Sequence, residues 1–129
     1  MKKSNLVVTG PPPPLHSVTP RLVVSDVDGA VRFMRDVFAA TGDIQPGRPV
    51  ELLIGDSVVL VSGAAEREQF PAFLYVYVED VEVCYLRALS LGAESVEEPL
   101  DTPYGDRRAM VRDPYGNLFQ IARRNTAVS

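Results

Sequence analysis

The sequence repeats one pattern at a spacing of 54 residues. Ser25-Asp26-Val27 and Glu79-Asp80-Val81 each follow an apolar run and precede a segment with helical periodicity. Apolar side chains recur at three- and four-residue spacing over 27–38 and again over 81–91, which is typical of amphipathic helices. A repeat of this length predicts a fold built from two copies of one supersecondary unit.

Short predicted strands complete each copy. The first copy contains strands at 18–24, 50–54 and 57–61, the last two joined by a Gly55-Asp56 turn. The second contains strands at 73–78, 93–97, 107–112 and 117–122. Two βαβββ units are the simplest interpretation. Because neither unit can bury both faces of its own sheet, we expect the two to pair.

Composition limits the classes of protein to consider. With 129 residues, of which 46% are hydrophobic, the chain fits one globular domain. No apolar run reaches the roughly 18 residues of a transmembrane helix, so no membrane association is expected. The net charge of −4 leaves no basic stripe beyond Arg107-Arg108 and Arg123-Arg124, which argues against nucleic-acid binding. The single cysteine, Cys84, excludes an internal disulfide and predicts a cytoplasmic location.

Three regions are predicted along the chain. Residues 1–16 include Pro11-Pro12-Pro13-Pro14 and form a flexible proline-rich arm, either a loose tail or an arm that crosses to a partner subunit. Residues 17–124 form a single domain, with repeat one at about 17–63 and repeat two at about 71–124. Residues 125–129 form a tail.

Three segments carry a resemblance to a known family. They read LVVSDVDGAVRFMRDVFAATG, LLIGDSVVLVSG and YGDRRAMVRDPYGNLFQIA. The chain resembles the vicinal oxygen chelate superfamily, which includes glyoxalase I, bleomycin- and fosfomycin-resistance proteins and ring-cleaving dioxygenases, and the resemblance covers 18–124. It implies an α+β fold in which two βαβββ repeats form a cupped mixed sheet around a cavity, with the helices outside, often in a homodimer.

The same resemblance implies where a metal ion would be held. The corresponding positions on the cavity-facing strands are Thr19, Leu60, Phe73 and Gln120. Leucine and phenylalanine offer no lone pair, whereas catalytic transition-metal sites normally use three imidazole, thiolate or carboxylate ligands. We therefore expect no metal and no cofactor.

Strand alternation assigns side chains to the predicted cavity. The candidate ligand-binding residues are Arg21, Glu51, Phe73, Tyr75, Tyr77, Arg107 and Gln120. The aromatic row either stacks on a ligand or fills a closed core. Arg21 either grips a carboxylate or phosphate or pairs with Glu51.

Several polar residues have a structural interpretation. Asp26, Asp80 and Asp113 stand at helix entries or in a turn, where capping and turn stabilisation are expected. Cys84 falls on an apolar helix stripe and is predicted to be a buried structural thiol. Of the adjacent Arg107 and Arg108 only one can face the cavity, and the YGDR motif favours Arg107.

Two functions follow. The preferred hypothesis is a metal-independent protein, homodimeric, that binds a small organic molecule in the cupped sheet, as in resistance by sequestration. The alternative is a glyoxalase-like lyase or isomerase, or a dioxygenase-type enzyme, in which Glu51, Arg21 and Gln120 do acid–base or oxyanion work.

Overall fold

The computed structural model describes residues 15–65 and 68–125. The proline-rich segment 11–14 and most of the predicted tail therefore lie outside the described residues. The elements follow in the order β1 (Arg21–Val24), α1 (Val27–Phe38), β2 (Val50–Ile54), β3 (Ser57–Gly63), β4 (Phe73–Tyr77), α2 (Val81–Ser90), β5 (Glu94–Asp101), β6 (Asp106–Arg112) and β7 (Leu118–Arg124).

Both helices begin with the capping expected from the sequence. The side chain of Asp26 accepts a hydrogen bond from the backbone N–H of Gly29 (3.0 Å), and that of Asp80 accepts one from Val83 (3.1 Å). Each carboxylate thereby satisfies an N–H that the first turn leaves without a helical partner. The prediction that these aspartates are structural is confirmed.

The strands form two separate sheets. The first sheet has the order β1-β3-β2 and the second the order β4-β7-β6-β5. In both, the strand before the helix pairs in parallel with the last strand of its half, and the remaining pairs are antiparallel. The duplication predicted from the sequence is thus visible in the topology, and the α+β fold class is confirmed.

The first half lacks a counterpart of β5. Where that strand would lie, only a bridge between Thr41 and Leu53 pairs with β2. The connecting segment 39–49 contains two prolines, Pro46 and Pro49, which have no N–H to donate to a ladder. The first half is therefore βαββ with one bridge, while the second is the complete βαβββ unit.

One hydrophobic core joins the two halves. It contains the helix-facing side chains of both sheets together with residues of both helices. The Phe119 ring on β7 lies 5.1 Å from the Phe38 ring and 6.1 Å from the Phe33 ring, both on α1. The Tyr115 hydroxyl approaches Gly29 so closely that a Cβ there would clash. The halves therefore pack through the sides of the sheets that carry the helices.

The opposite side of each sheet is turned away from this core. In the second sheet it leaves Phe73 and Tyr77 more than half exposed, at 62% and 55%. The halves pack together through their apolar, helix-facing sides. Their opposite sides therefore do not enclose a cavity within the described part of one chain. None of the helices in the described part of the chain is long and apolar enough to cross a membrane.

Candidate functional site

The two sheet surfaces that face away from the helices carry most of the predicted site residues. We call them the first outer face and the second outer face. The first consists of Arg21, Val23, Glu51, Leu53, Val58, Leu60 and Ser62. The second consists of Phe73, Tyr75, Tyr77, Asp106, Arg108, Met110, Arg112, Leu118, Gln120, Ala122 and Arg124. The strand parity inferred from the sequence agrees with both sets.

The second outer face brings four predicted residues together. Strand pairing places Phe73 opposite Leu118 and Tyr75 opposite Gln120. The rings of Tyr75 and Tyr77 lie 5.3 Å apart and are tilted to each other. The predicted aromatic row is therefore a partly exposed surface. Within this chain it does not fill a closed core, which was one of its two interpretations.

A polar network centred on Asp106 supports these tyrosines. The buried Asp106 carboxylate accepts hydrogen bonds from the hydroxyls of Tyr75 (2.7 Å) and Tyr77 (3.4 Å) and from Nε of Arg124 (2.6 Å). Arg124 also donates to the Tyr77 hydroxyl at 2.9 Å, with its guanidinium carbon 5.7 Å from the ring centroid. A buried charge needs such partners, so the network fixes both rings.

The network shifts the pKa of three acidic groups. The hydrogen bond from Tyr75, assisted by Arg124 and opposed by burial, lowers the pKa of the Asp106 carboxyl. Burial, with hydrogen bonds to Tyr104 and Asp106, raises the pKa of the Tyr75 phenol. A hydrogen bond with Tyr75 and another with Arg108 lower the pKa of the Tyr104 phenol despite opposing desolvation. At neutral pH Tyr75 is thus a protonated donor beside an ionised aspartate.

Arg108, rather than Arg107, lies on the second outer face. It binds Glu97 (2.8 Å) and donates to the Tyr104 hydroxyl (3.0 Å). Arg107 lies on the helix side and pairs with Glu82 of α2 at 2.7 Å. The prediction of Arg107 as a site residue is therefore corrected, because the β6–β7 register pairs Arg108, and not Arg107, with Ala122 of the second outer face.

The first outer face carries the other two predicted residues. Arg21, Leu60 and Glu51 form one row across β1, β3 and β2. Arg21 Nε donates to Ser62 Oγ at 2.9 Å, whereas Glu51 lies 3.5 Å from Arg48. The two predicted residues thus share a face, but they are separated by a strand and do not form the ion pair that the sequence left open.

Grooves adjoin both sheets. One, of about 440 Å³, is lined by Arg21, Ser62 and the 44–50 segment. Another, of about 720 Å³, runs along β4 and the β2–β3 turn, and its lining residues include Leu74, Tyr77 and Cys84. Cys84 is half-buried against the core, and burial raises the pKa of its thiol. It is therefore a packing residue rather than an activated nucleophile.

Comparison with known proteins identifies the family. The model of the glyoxalase/bleomycin resistance protein/dioxygenase superfamily matches residues 15–121. The chain belongs to this superfamily. No curated protein matches its sequence.

Solved structures of the superfamily fold agree with this membership. The chain is similar to TioX from Micromonospora sp. ML1, with 28% identity and a TM-score of 0.71 over 83% of this chain and 97% of that one. A glyoxalase/bleomycin resistance protein/dioxygenase family enzyme from Burkholderia phytofirmans PsJN shares 20% identity and a TM-score of 0.69 over 80% and 94%. A glyoxalase-related enzyme from Fulvimarina pelagi shares 18% identity and a TM-score of 0.69 over 84% and 88%.

The residues at the superfamily's metal positions do not fit a transition metal. The Thr19 hydroxyl contacts the backbone oxygen of His16 at 3.4 Å, and Leu60 and Phe73 have no donor atom. Gln120 supplies one neutral amide on β7, and Thr19 precedes β1 and lies on no strand. Within residues 15–65 and 68–125, no group of three or more His, Cys, Asp or Glu side chains is arranged to hold a metal ion.

Sequence reasoning missed the Asp106 network. Asp106 and Arg124 lie just outside the predicted strands 107–112 and 117–122, whereas the structure includes them in β6 and β7. Extending the alternation of Leu118, Gln120 and Ala122 by one step reaches Arg124, and stepping back from Arg108 reaches Asp106. That continued period-2 pattern was the available signal.

Proposed function

We propose that this chain binds a small organic molecule without a metal ion, as a homodimer in the cytoplasm, and acts by sequestration rather than by turnover. The observation that carries the proposal is the exposed aromatic row on the second outer face, where Phe73 is 62% and Tyr77 55% exposed. Rigid aromatic side chains with a few fixed polar groups are typical of small-molecule sites.

The homodimer follows from how little one face can bury. A small-molecule site encloses about 70–90% of its ligand, which an open sheet surface does not do. The helix-facing sides of both sheets are already used in the core. We infer that the first outer face of one copy covers the second outer face of another, so that two sites form per dimer.

Metal independence is supported by the donor set. Thr19, Leu60, Phe73 and Gln120 provide no imidazole, thiolate or carboxylate. Elemental analysis of purified protein is expected to find no stoichiometric Zn, Ni, Fe or Mn, and adding these ions should leave Tm unchanged. A transition ion retained at one per chain would contradict this part of the proposal.

Ligand binding can be followed without labels, because the chain has five tyrosines and no tryptophan. We would titrate one- to three-ring aromatic compounds and follow tyrosine fluorescence, with light scattering to give the mass. Phe73→Ala should weaken binding about tenfold, since a stacked aromatic contributes about 0.5–1.5 kcal/mol beyond its buried area. Tyr85→Phe is the control, because Tyr85 lies in the core and bonds Ser95. A monomer that binds none of the compounds would contradict the proposal.

A further inference from the structure

We propose that Arg21 recognises an anionic group, so that the ligand of the site proposed above is an aromatic or apolar molecule bearing a carboxylate or phosphate. This inference rests on the proposed function and adds the chemical class of the ligand. It is carried by the way Arg21 is held, by its lack of a carboxylate partner among the described residues, and by the groove into which it opens.

Ser62 holds the guanidinium by one edge. Arg21 Nε donates to Ser62 Oγ at 2.9 Å, and the two residues lie on neighbouring strands of the first sheet. This bond uses one of the five N–H donors of the guanidinium. In the described part of the chain, no hydrogen bond or ion pair is found for its two terminal nitrogens. Those nitrogens form the fork that binds a carboxylate or phosphate through two parallel bonds.

The arginines of the second outer face differ from Arg21. Arg108, Arg112 and Arg124 each have a carboxylate oxygen within 4 Å, at 2.8, 3.4 and 2.6 Å. Arg21 has none among residues 15–65 and 68–125. Glu51, the acid on its own face, lies two strands away, about 10 Å by strand spacing. The positive charge of Arg21 is therefore not neutralised by the part of the protein that is described.

The groove beside Arg21 can take the rest of such a ligand. Its volume of about 440 Å³ falls within the range of small-molecule sites. Ile44 and Pro49 supply an apolar wall, and two further charged residues, Arg48 and Asp28, also line it. Arg48 is only loosely paired, 3.5 Å from Glu51, and Asp28 is exposed to solvent in the first turn of α1. Because Arg48 faces Glu51, Arg21 is the arginine of this groove that lacks a carboxylate partner in the described part of the chain.

The test compares three probes that differ only in the polar group: 2-naphthoate, 2-naphthyl phosphate and neutral 2-naphthamide. Naphthyl emission can be read in a chain without tryptophan. We expect at least one anion to bind about tenfold or more tighter than the amide, the size of one charge-assisted hydrogen bond. Whichever anion binds more tightly identifies the group as carboxylate or phosphate.

Variants assign that preference to Arg21. Arg21→Gln should abolish the preference for the anion, so that the anions and the amide bind with similar affinity, and Arg21→Lys should restore part of the preference. Ser62→Ala should reduce the preference severalfold, because Ser62 positions the guanidinium, while Ser62→Thr keeps it. Arg32→Gln is the matched control, since Arg32 is an exposed arginine of α1 outside this groove.

The outcomes separate this inference from the function on which it rests. Equal binding of anions and amide overturns anion recognition but leaves small-molecule binding intact. No binding of any probe overturns both. If Arg21→Gln instead lowers dimer stability and wild type shows no preference for anions, Arg21 pairs with an acid of the second copy and the inference is wrong.

Discussion

The two outer faces come from duplicated halves, but they have diverged in opposite directions. The second is four strands wide, and each of its arginines is paired with a carboxylate. The first is three strands wide, and among residues 15–65 and 68–125 its Arg21 has Ser62 as its one side-chain partner. The second half thus neutralises the arginines of its own surface and fixes its aromatic rings, whereas the first half leaves Arg21 without a carboxylate partner in the described part of the chain. A binding site made from both faces combines a preformed wall with a recognition group.

The largest expected effect comes from the core that unites the halves. Phe119→Ala should lower the free energy of unfolding by about 3–5 kcal/mol, because Phe119 is fully buried between both aromatic residues of α1. Denaturant unfolding followed by circular dichroism measures it. Phe73→Ala is the matched control on the second outer face and should cost less than about 1 kcal/mol in the isolated chain. Equal costs for the two variants would mean that the outer face is as buried as the core.

The sequence predicted those elements of the fold whose formation depends on local patterns. Helical periodicity and the acidic residue before each helix predicted both helices, because amphipathicity and capping are local. Strand β5 was predicted to end at 97 but extends through Pro99 to Asp101. Proline is tolerated there because β5 is the edge strand, with register irregularities on either side of Glu97.

The candidate site was less predictable. Alternation correctly separated the outer-facing residues from those in the core, such as Tyr75 from Leu74 and Gln120 from Phe119. It could not predict which sides of two sheets pack together, since both the helix-facing and the aromatic surfaces are apolar. The Asp106 network joins β4, β6 and β7 across long sequence separations, so that its partners are set by register and not by any local motif.

An intermediate effect is expected from the centre of the second outer face. Because the pKa of Asp106 is lowered in the fold, its ionised form contributes stability above the ordinary aspartate value of 3.8, and this contribution is lost as pH falls through the lower folded value. Asp106→Asn should therefore be less stable than wild type at pH 7, and the gap should narrow in acid. Thermal unfolding between about pH 3 and pH 7 measures both.

The control for that experiment is Asp101→Asn. Asp101 lies 3.4 Å from Arg107, and its side chain is 70% exposed, so solvent screens the pair. The stability that Asp101→Asn loses at pH 7 should be several times smaller than the stability that Asp106→Asn loses. If the stabilities of wild type and Asp106→Asn differed by the same amount at every pH, the hydrogen bonds of Tyr75 and Arg124 would not depend on an ionised Asp106.

The smallest effect distinguishes the adjacent arginines of β6. Arg107→Gln breaks a partly exposed ion pair with Glu82 and should cost about 0.2–1 kcal/mol of stability without changing ligand affinity. Arg108→Gln removes contacts with Glu97 and Tyr104 on the second outer face. We expect it to weaken binding of aromatic ligands severalfold, because Tyr104 and Tyr75 lose a fixed neighbour. Titration of both variants with 2-naphthoate measures the difference. If only Arg107→Gln weakened binding, the ligand would lie on the helix side, in the region of α2, and the outer faces would not form the site.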